Sequence, residues 1–170
     1  MIFVTVGSSP VPFERLMRAL ELLPAPELIV QHGPSKPPPC AAAHDFLPFG
    51  RILELMAQAD LVVSHAGVGS IMCALQAGHV PIVFPRLARH GETVDDHQTQ
   101  LAFELARRGT VVIATDGLQL RAAVESASSR GAPRPLHGEA LTAAVRAAIH
   151  GEEPGLLRRR DSLAHAAGVG

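Results

Sequence analysis

Ala59-Asp60-Leu61-Val62-Val63-Ser64-His65-Ala66-Gly67-Val68-Gly69-Ser70 joins an apolar run to a glycine-rich turn, the signature of a β-strand passing into a helix. Leu61 to Ser64 is a short apolar run of the kind that forms a buried strand. It ends in His65-Ala66-Gly67-Val68-Gly69, and the pattern predicts a helix over Ser70 to Ala77, closed by Gly78. A glycine-rich strand-to-helix turn lets backbone N–H groups approach an anion closely. The helix N-terminus adds roughly half an elementary positive charge. Gly67 and Gly69 free the backbone, Ser70 is expected to cap the helix and offer a hydroxyl, and His65 can donate from a ring nitrogen. The glycines alone fit equally well an ordinary turn that needs them only for tight packing.

Working outward, strands and helices alternate. Ile2 to Val6 reads as a first strand stopped by the turn Gly7-Ser8-Ser9-Pro10, and Phe13, Leu16, Met17, Leu20 and Leu23 then recur at helical spacing. Leu28 to Gln31 is a second strand. Gly33 to Ala43, with Pro34, Pro37, Pro38 and Pro39, is expected to be a loop, and His44 to Pro48 a short extended piece. Ile52 to Met56 fits a helix, Val80 to Phe84 a strand, Asp96 to Arg107 a helix, Thr110 to Ala114 a strand and Leu118 to Ser128 a helix. Helices are also expected over 139–149 and, more weakly, 156–167. This alternation predicts a doubly wound parallel α/β sheet, Rossmann-like, with ligands at the carboxyl ends of the strands. Gly7, Ser8 and Ser9 would then share a crevice with the His65 to Ser70 turn.

Composition bounds the function. At 170 residues the chain is one domain by length and can bury a full core. Its net charge of −1 and 4% aromatic content, with no Trp or Tyr, predict no nucleic-acid partner. Cys40 and Cys73 are too few for a disulfide framework and suit a reducing, cytoplasmic setting. The N-terminus reads as a strand rather than a signal peptide, and no apolar run is long enough to span a bilayer. Arg158-Arg159-Arg160 reads as a solvated basic face, with contact to an anionic membrane surface or an acidic partner as the alternative.

A second polar cluster, Gly91-Glu92-Thr93-Val94-Asp95-Asp96-His97-Gln98, follows the Val80 to Phe84 strand. His90, Glu92, Asp95, Asp96 and His97 are metal-ligand types, but they match no standard zinc spacing, so no metal is expected. Asp95 or Asp96 is expected to cap the following helix. His97 and Gln98 in its first turn could read a sugar, since an amide both donates to and accepts from vicinal hydroxyls. Cys73 reads as a small core residue.

Three stretches together carry a resemblance: Phe3-Val4-Thr5-Val6-Gly7 with Pro12-Phe13-Glu14-Arg15-Leu16; Ala59 through Ser70; and Pro85-Arg86 with Gly91-Glu92 and Asp95-Asp96-His97-Gln98. Over about residues 1 to 115 the chain resembles the C-terminal, donor-binding half of the MurG-like, GT-B glycosyltransferases of family 28. More closely, it resembles the small catalytic subunits of split enzymes, which include the eukaryotic two-part GlcNAc transferase of dolichol-linked oligosaccharide synthesis and the PssE-like exopolysaccharide glycosyltransferase subunits. The expected organisation is a nucleotide-sugar-binding domain over residues 1–150, as the resemblance implies, followed by a C-terminal helical tail over 151–170 that the residue pattern suggests. It implies that Gly67, Val68, Gly69 and Ser70 hold the donor diphosphate, with His65 beside them, and that the backbone at Phe49 reads uracil. Gln98 would contact the donor sugar with His97 beside it, and Gly7, Ser8 and Ser9 would lie near the phosphates and acceptor.

The implied activity is inverting transfer of a hexose (GlcNAc, GlcA or Glc) from a UDP-sugar to a lipid-linked saccharide in bacterial polysaccharide synthesis. No cofactor or metal is implied, because the helix dipole and backbone amides would stabilise the leaving UDP. No residue of this chain stands out as general base. The resemblance places that base on a membrane-anchored, acceptor-binding partner subunit, which would make the chain cytoplasmic and peripheral to the inner membrane. One position departs from the family: Cys73 stands where a Glu commonly binds the ribose hydroxyls. That leaves open a non-catalytic nucleotide-sugar binding or activating subunit. A dinucleotide-dependent oxidoreductase is disfavoured, because no Gly-x-Gly-x-x-Gly follows the first strand.

Overall fold

A computed structural model of the chain describes residues 1–24, 27–39 and 41–130. The helices expected over 139–149 and 156–167, the boundary at 150, the tail and the Arg158-Arg159-Arg160 run lie outside the described residues. Six strands are found among the described residues: β1 (Ile2–Thr5), β2 (Leu28–Gln31), β3 (Ala41–His44), β4 (Leu61–Ser64), β5 (Ile82–Val83) and β6 (Val112–Ile113). Between them run α1 (Glu14–Leu20), α2 (Phe49–Gln58), α3 (Val68–Gln76), α4 (His97–Arg107) and, after β6, α5 (Gly117–Arg130). All strand pairs are parallel, in the order β3-β2-β1-β4-β5-β6. The strand order reverses between β1 and β4, and in such sheets that is where a crevice opens beyond the carboxyl ends.

Period-2 alternation divides the core. Ile2 and Val4 of β1 and Val30 of β2 pack with Leu16 and Leu20 of α1 and Leu120 and Val124 of α5 on one face. Phe3 of β1 and Val62 of β4 pack with Leu55 and Met56 of α2 and Ala74 of α3 on the other. Full burial of one such side chain stabilises by about 1.5–3 kcal/mol. The same parity sets the last residue of each central strand on the α2/α3 face. Those residues are polar and in register: Gln31, Thr5 and Ser64. The carboxyl edge therefore ends in a polar row above an apolar layer.

Several boundaries depart from the sequence expectation. The third strand is Ala41–His44, lying mostly in the stretch expected to be a loop (33–43) and meeting the expected extended piece (44–48) only at His44. Alanine has little intrinsic β preference, so this mostly exposed edge strand owes its shape to pairing with β2. Helix α3 begins at Val68, not Ser70, because Gly67 adopts the extended conformation of a cap (φ −73°, ψ 129°). Ser70 is thus a first-turn residue and not the cap. Asp96 does precede α4, but its side chain makes no capping hydrogen bond; its Oδ1 accepts from the Ala88 amide at 3.0 Å.

Candidate functional site

A cleft of about 530 Å3 opens at the carboxyl edge between the N-terminal ends of α2 and α3. Thr5 and Gln31 line it from the strand ends, Gly7 and Ser8 from the turn after β1, and His65, Gly67, Gly69, Ser70 and Cys73 from the turn after β4 and from α3. Phe46, Leu47, Phe49, Ile52 and Met56 form the apolar wall. Phe46 and Phe49 are 55% and 65% exposed, so two aromatic rings stand at the rim with little protein over them.

The turn after β1 is held by a small buried network. Thr5 Oγ1 donates to Gln31 Oε1 at 2.6 Å, Gln31 Nε2 donates to the Gly7 carbonyl at 2.9 Å, and the Gly7 amide donates to Thr5 Oγ1 at 3.2 Å. Gly7 has φ +76°, a conformation that strains any residue with a Cβ. Ser9 Oγ accepts from the Val11 amide at 3.2 Å and so shapes the turn, while Ser8 faces the cleft.

The two turns meet on the His65 ring. A Cβ on Gly7 would stand 2.6 Å from His65 Nε2, and closer still to Cε1. A Cβ on Gly67 would stand 2.9 Å from both Cδ2 and Cε1, and closer still to Nε2. The Cε1–Nε2 end of the imidazole thus packs against both glycines, and Gly67, whose φ is ordinary, is required by the ring and not by its backbone angle. His65 Nδ1 is buried without a hydrogen-bond partner among the described residues. Burial, with the nearby Arg86 cation, pushes the His65 pKa down to about 4, so the ring is neutral at pH 7. Gly69, by contrast, has open space where a Cβ would be. Cys73 lines the cleft from α3, and burial raises its pKa, so it presents a neutral thiol.

The structure therefore brings Gly7, Ser8, Phe49, His65, Gly67, Gly69 and Ser70 of the sequence candidates into one cleft. Val68 is 38% exposed beside it. His97 and the exposed Gln98 open α4, beyond the end of β5 on the same edge, and Gln98 is not part of the cleft lining. Sequence reasoning missed Thr5, Gln31, Phe46, Leu47, Ile52 and Met56. The signal that could have found Thr5 and Gln31 is a polar residue closing an otherwise apolar strand. Glu92, read as a possible ligand, is buried and accepts from Arg15 Nε at 3.1 Å, Arg15 Nη2 at 2.8 Å and the Leu87 amide at 3.0 Å.

A parallel sheet in this order, with a cleft at its switch point, defines the class: a Rossmann-like α/β domain of the doubly wound type. Residues 1–135 match the glycosyltransferase family 28 C-terminal domain, and the chain belongs to that family. Over 61 residues it is 38% identical to the UDP-N-acetylglucosamine transferase subunit ALG13 of Yarrowia lipolytica (strain CLIB 122 / E 150). That stretch is 36% of this chain and 29% of that relative. Among solved structures it is similar to an ALG13 solution structure (TM-score 0.53, 22% identity, 79% of this chain and 87% of that one). It is also similar to the glycotransferase of kitacinnamycin (TM-score 0.52, 20% identity, 89% of this chain and 40% of that one). These structural likenesses show the fold, that of GT-B glycosyltransferases. No helix among the described residues is long and apolar enough to cross a membrane.

Proposed function

We propose that this chain is the donor-binding subunit of an inverting glycosyltransferase that moves a hexose from a UDP-sugar to a lipid-linked acceptor in bacterial polysaccharide synthesis. The observation that carries the reading is the two-sided cleft. One wall is the N-terminal end of α3, bounded by Gly67 and Gly69, and the other is apolar with two aromatic rings at its rim. A nucleoside diphosphate has the matching halves: a charged end for the helix N-terminus and a flat base for the apolar wall. The likeness to a subunit named as a UDP-N-acetylglucosamine transferase supports UDP as the nucleotide and GlcNAc as the first sugar to try, with GlcA and Glc beside it.

In this reading an acceptor hydroxyl attacks the anomeric carbon from the face opposite the phosphate. The C–O bond to the diphosphate breaks, and the charge that develops on UDP falls on the amides at the start of α3. No metal is needed for that stabilisation. A general base must take the hydroxyl proton, and a group with a pKa near the working pH serves best. His65, held near 4, is too weak a base for that task. A membrane-anchored partner subunit would supply the base and the acceptor site, and would hold this chain at the cytoplasmic face of the inner membrane. Gln98 and His97 at the head of α4 would meet the sugar projecting from the diphosphate.

The test is transfer from a panel of UDP-sugars by this chain co-expressed with its candidate partner. Ser70→Ala and Gln98→Ala should each lower transfer at least tenfold, and wild-type rates in both would remove the assignment. Cys73 in the cleft favours one second reading, a non-catalytic nucleotide-sugar binding subunit. Saturable UDP binding without transfer in the presence of the partner would select it.

A further inference from the structure

Arg86 is buried, 5% exposed, and does not line the cleft. Its Nη1 donates to the carbonyls of Val11 at 2.9 Å, Pro12 at 3.3 Å and Glu92 at 3.3 Å, and its Nη2 to that of Val6 at 3.4 Å. Its guanidinium lies 4.4 Å from the centroid of the Phe13 ring. Arg15 completes the assembly. It binds the Glu92 carboxylate through Nε and Nη2, donates to the Thr115 carbonyl at 2.8 Å and to that of Pro85, and lies 4.6 Å from the Phe84 centroid. Two cations, one carboxylate and two aromatic rings thus tie together the turns after β1, β5 and β6 at the carboxyl edge.

The geometry points to Arg86 as a positioning residue for the donor pyrophosphate: it clamps the turn leading into Gly7 and lends the cleft a positive charge that ligand never touches. This deepens the proposed function and rests on its reading of the cleft as a nucleoside-diphosphate site. Two observations support it. The Val6 carbonyl held by Arg86 immediately precedes Gly7, which lines the cleft and packs on His65. The Arg86 charge also reaches His65, where it is one cause of the depressed pKa. A guanidinium held by carbonyl dipoles has a field that can extend to an anion bound between the two turns, in surroundings that screen less than water.

The experiment titrates UDP and uridine into the wild-type chain, Arg86→Met and Arg86→Gln, with the His65 ring followed by NMR as pH is lowered. Gln keeps two N–H donors for the carbonyls and covers the case in which the Met variant does not fold. The expected result is that the neutral variants bind UDP at least tenfold more weakly while uridine changes less than twofold. The His65 titration should move up towards its ordinary value. Equal losses for UDP and uridine, or an unmoved His65 titration in a folded variant, would reduce Arg86 to a structural latch and overturn the proposal. A wild-type chain that binds uridine and UDP equally would instead sink the pyrophosphate reading of the cleft, and this proposal with it.

Discussion

Replacing Gly67 by Ala isolates the wedge between the two turns. Alanine is compatible with the backbone at Gly67 (φ −73°, ψ 129°), so the substitution carries no conformational strain. Its new methyl would stand 2.9 Å from two carbons of the His65 ring and closer to Nε2, well inside ordinary contact. Gly7 abuts the same Cε1–Nε2 end of the ring, so a shift in that direction meets the turn after β1. Such overpacking costs about 1–3 kcal/mol. At roughly 4 °C per kcal/mol for a domain of this size, Gly67→Ala should lower Tm by about 4–12 °C. The control is a double-mutant cycle. In a His65→Ala background the obstacle is gone, and Gly67→Ala should then cost less than about 0.5 kcal/mol. Urea unfolding of the four proteins measures the coupling. An unchanged Tm in Gly67→Ala, or an equal loss in both backgrounds, would refute the wedge.

Three further outcomes follow from the same cleft. Gly69→Ala should raise stability by about 0.5–1 kcal/mol, since a helical Gly gains from a Cβ that meets nothing here, yet weaken UDP about tenfold; unaltered calorimetric affinity would count against phosphate contact at α3. Cys73→Glu should tighten UDP at least tenfold, because hydrogen bonds to a charged group are worth about 1.5–3 kcal/mol, and the gain should vanish with 2′,3′-dideoxy-UDP. His65 is held below its ordinary pKa, so the unfolded chain binds the extra proton first and stability falls as pH drops from about 6.5 towards about 4. The full loss is at most about 3 kcal/mol, and His65→Asn should flatten this slope in urea midpoints measured between pH 7 and 4. Matching slopes in the two proteins would contradict it.

What the sequence made legible is what short-range patterning controls. Leu61 to Ser64 followed by a Gly-rich turn reads correctly, because an apolar run and a backbone that must bend are both written locally. The parallel doubly wound sheet follows from alternation. Residue preference favours serine as a cap and so points to Ser70, whereas the cap role falls to Gly67 by conformation. Strand β3 was hidden because Ala41-Ala42-Ala43 carries no β signal of its own and depends on its neighbour β2. The Gln31–Thr5 pair needs the register of two strands separated by α1, which no local window contains. The reason for Gly67 was also out of reach: the glycine looked like a phosphate device, and the structure shows that it first makes room for His65.

If the cleft between the two glycine turns receives a pyrophosphate, the backbone amides of those turns must sense it. This is tested most directly by titrating UDP into the 15N-labelled chain and following backbone amides. Saturable shifts are expected, largest at Ser8 and from Gly67 to Ser70, with the His65 ring moving in step and uridine leaving those amides unmoved. Saturation with the largest shifts away from both turns, or no shift in either turn at millimolar UDP, would contradict it.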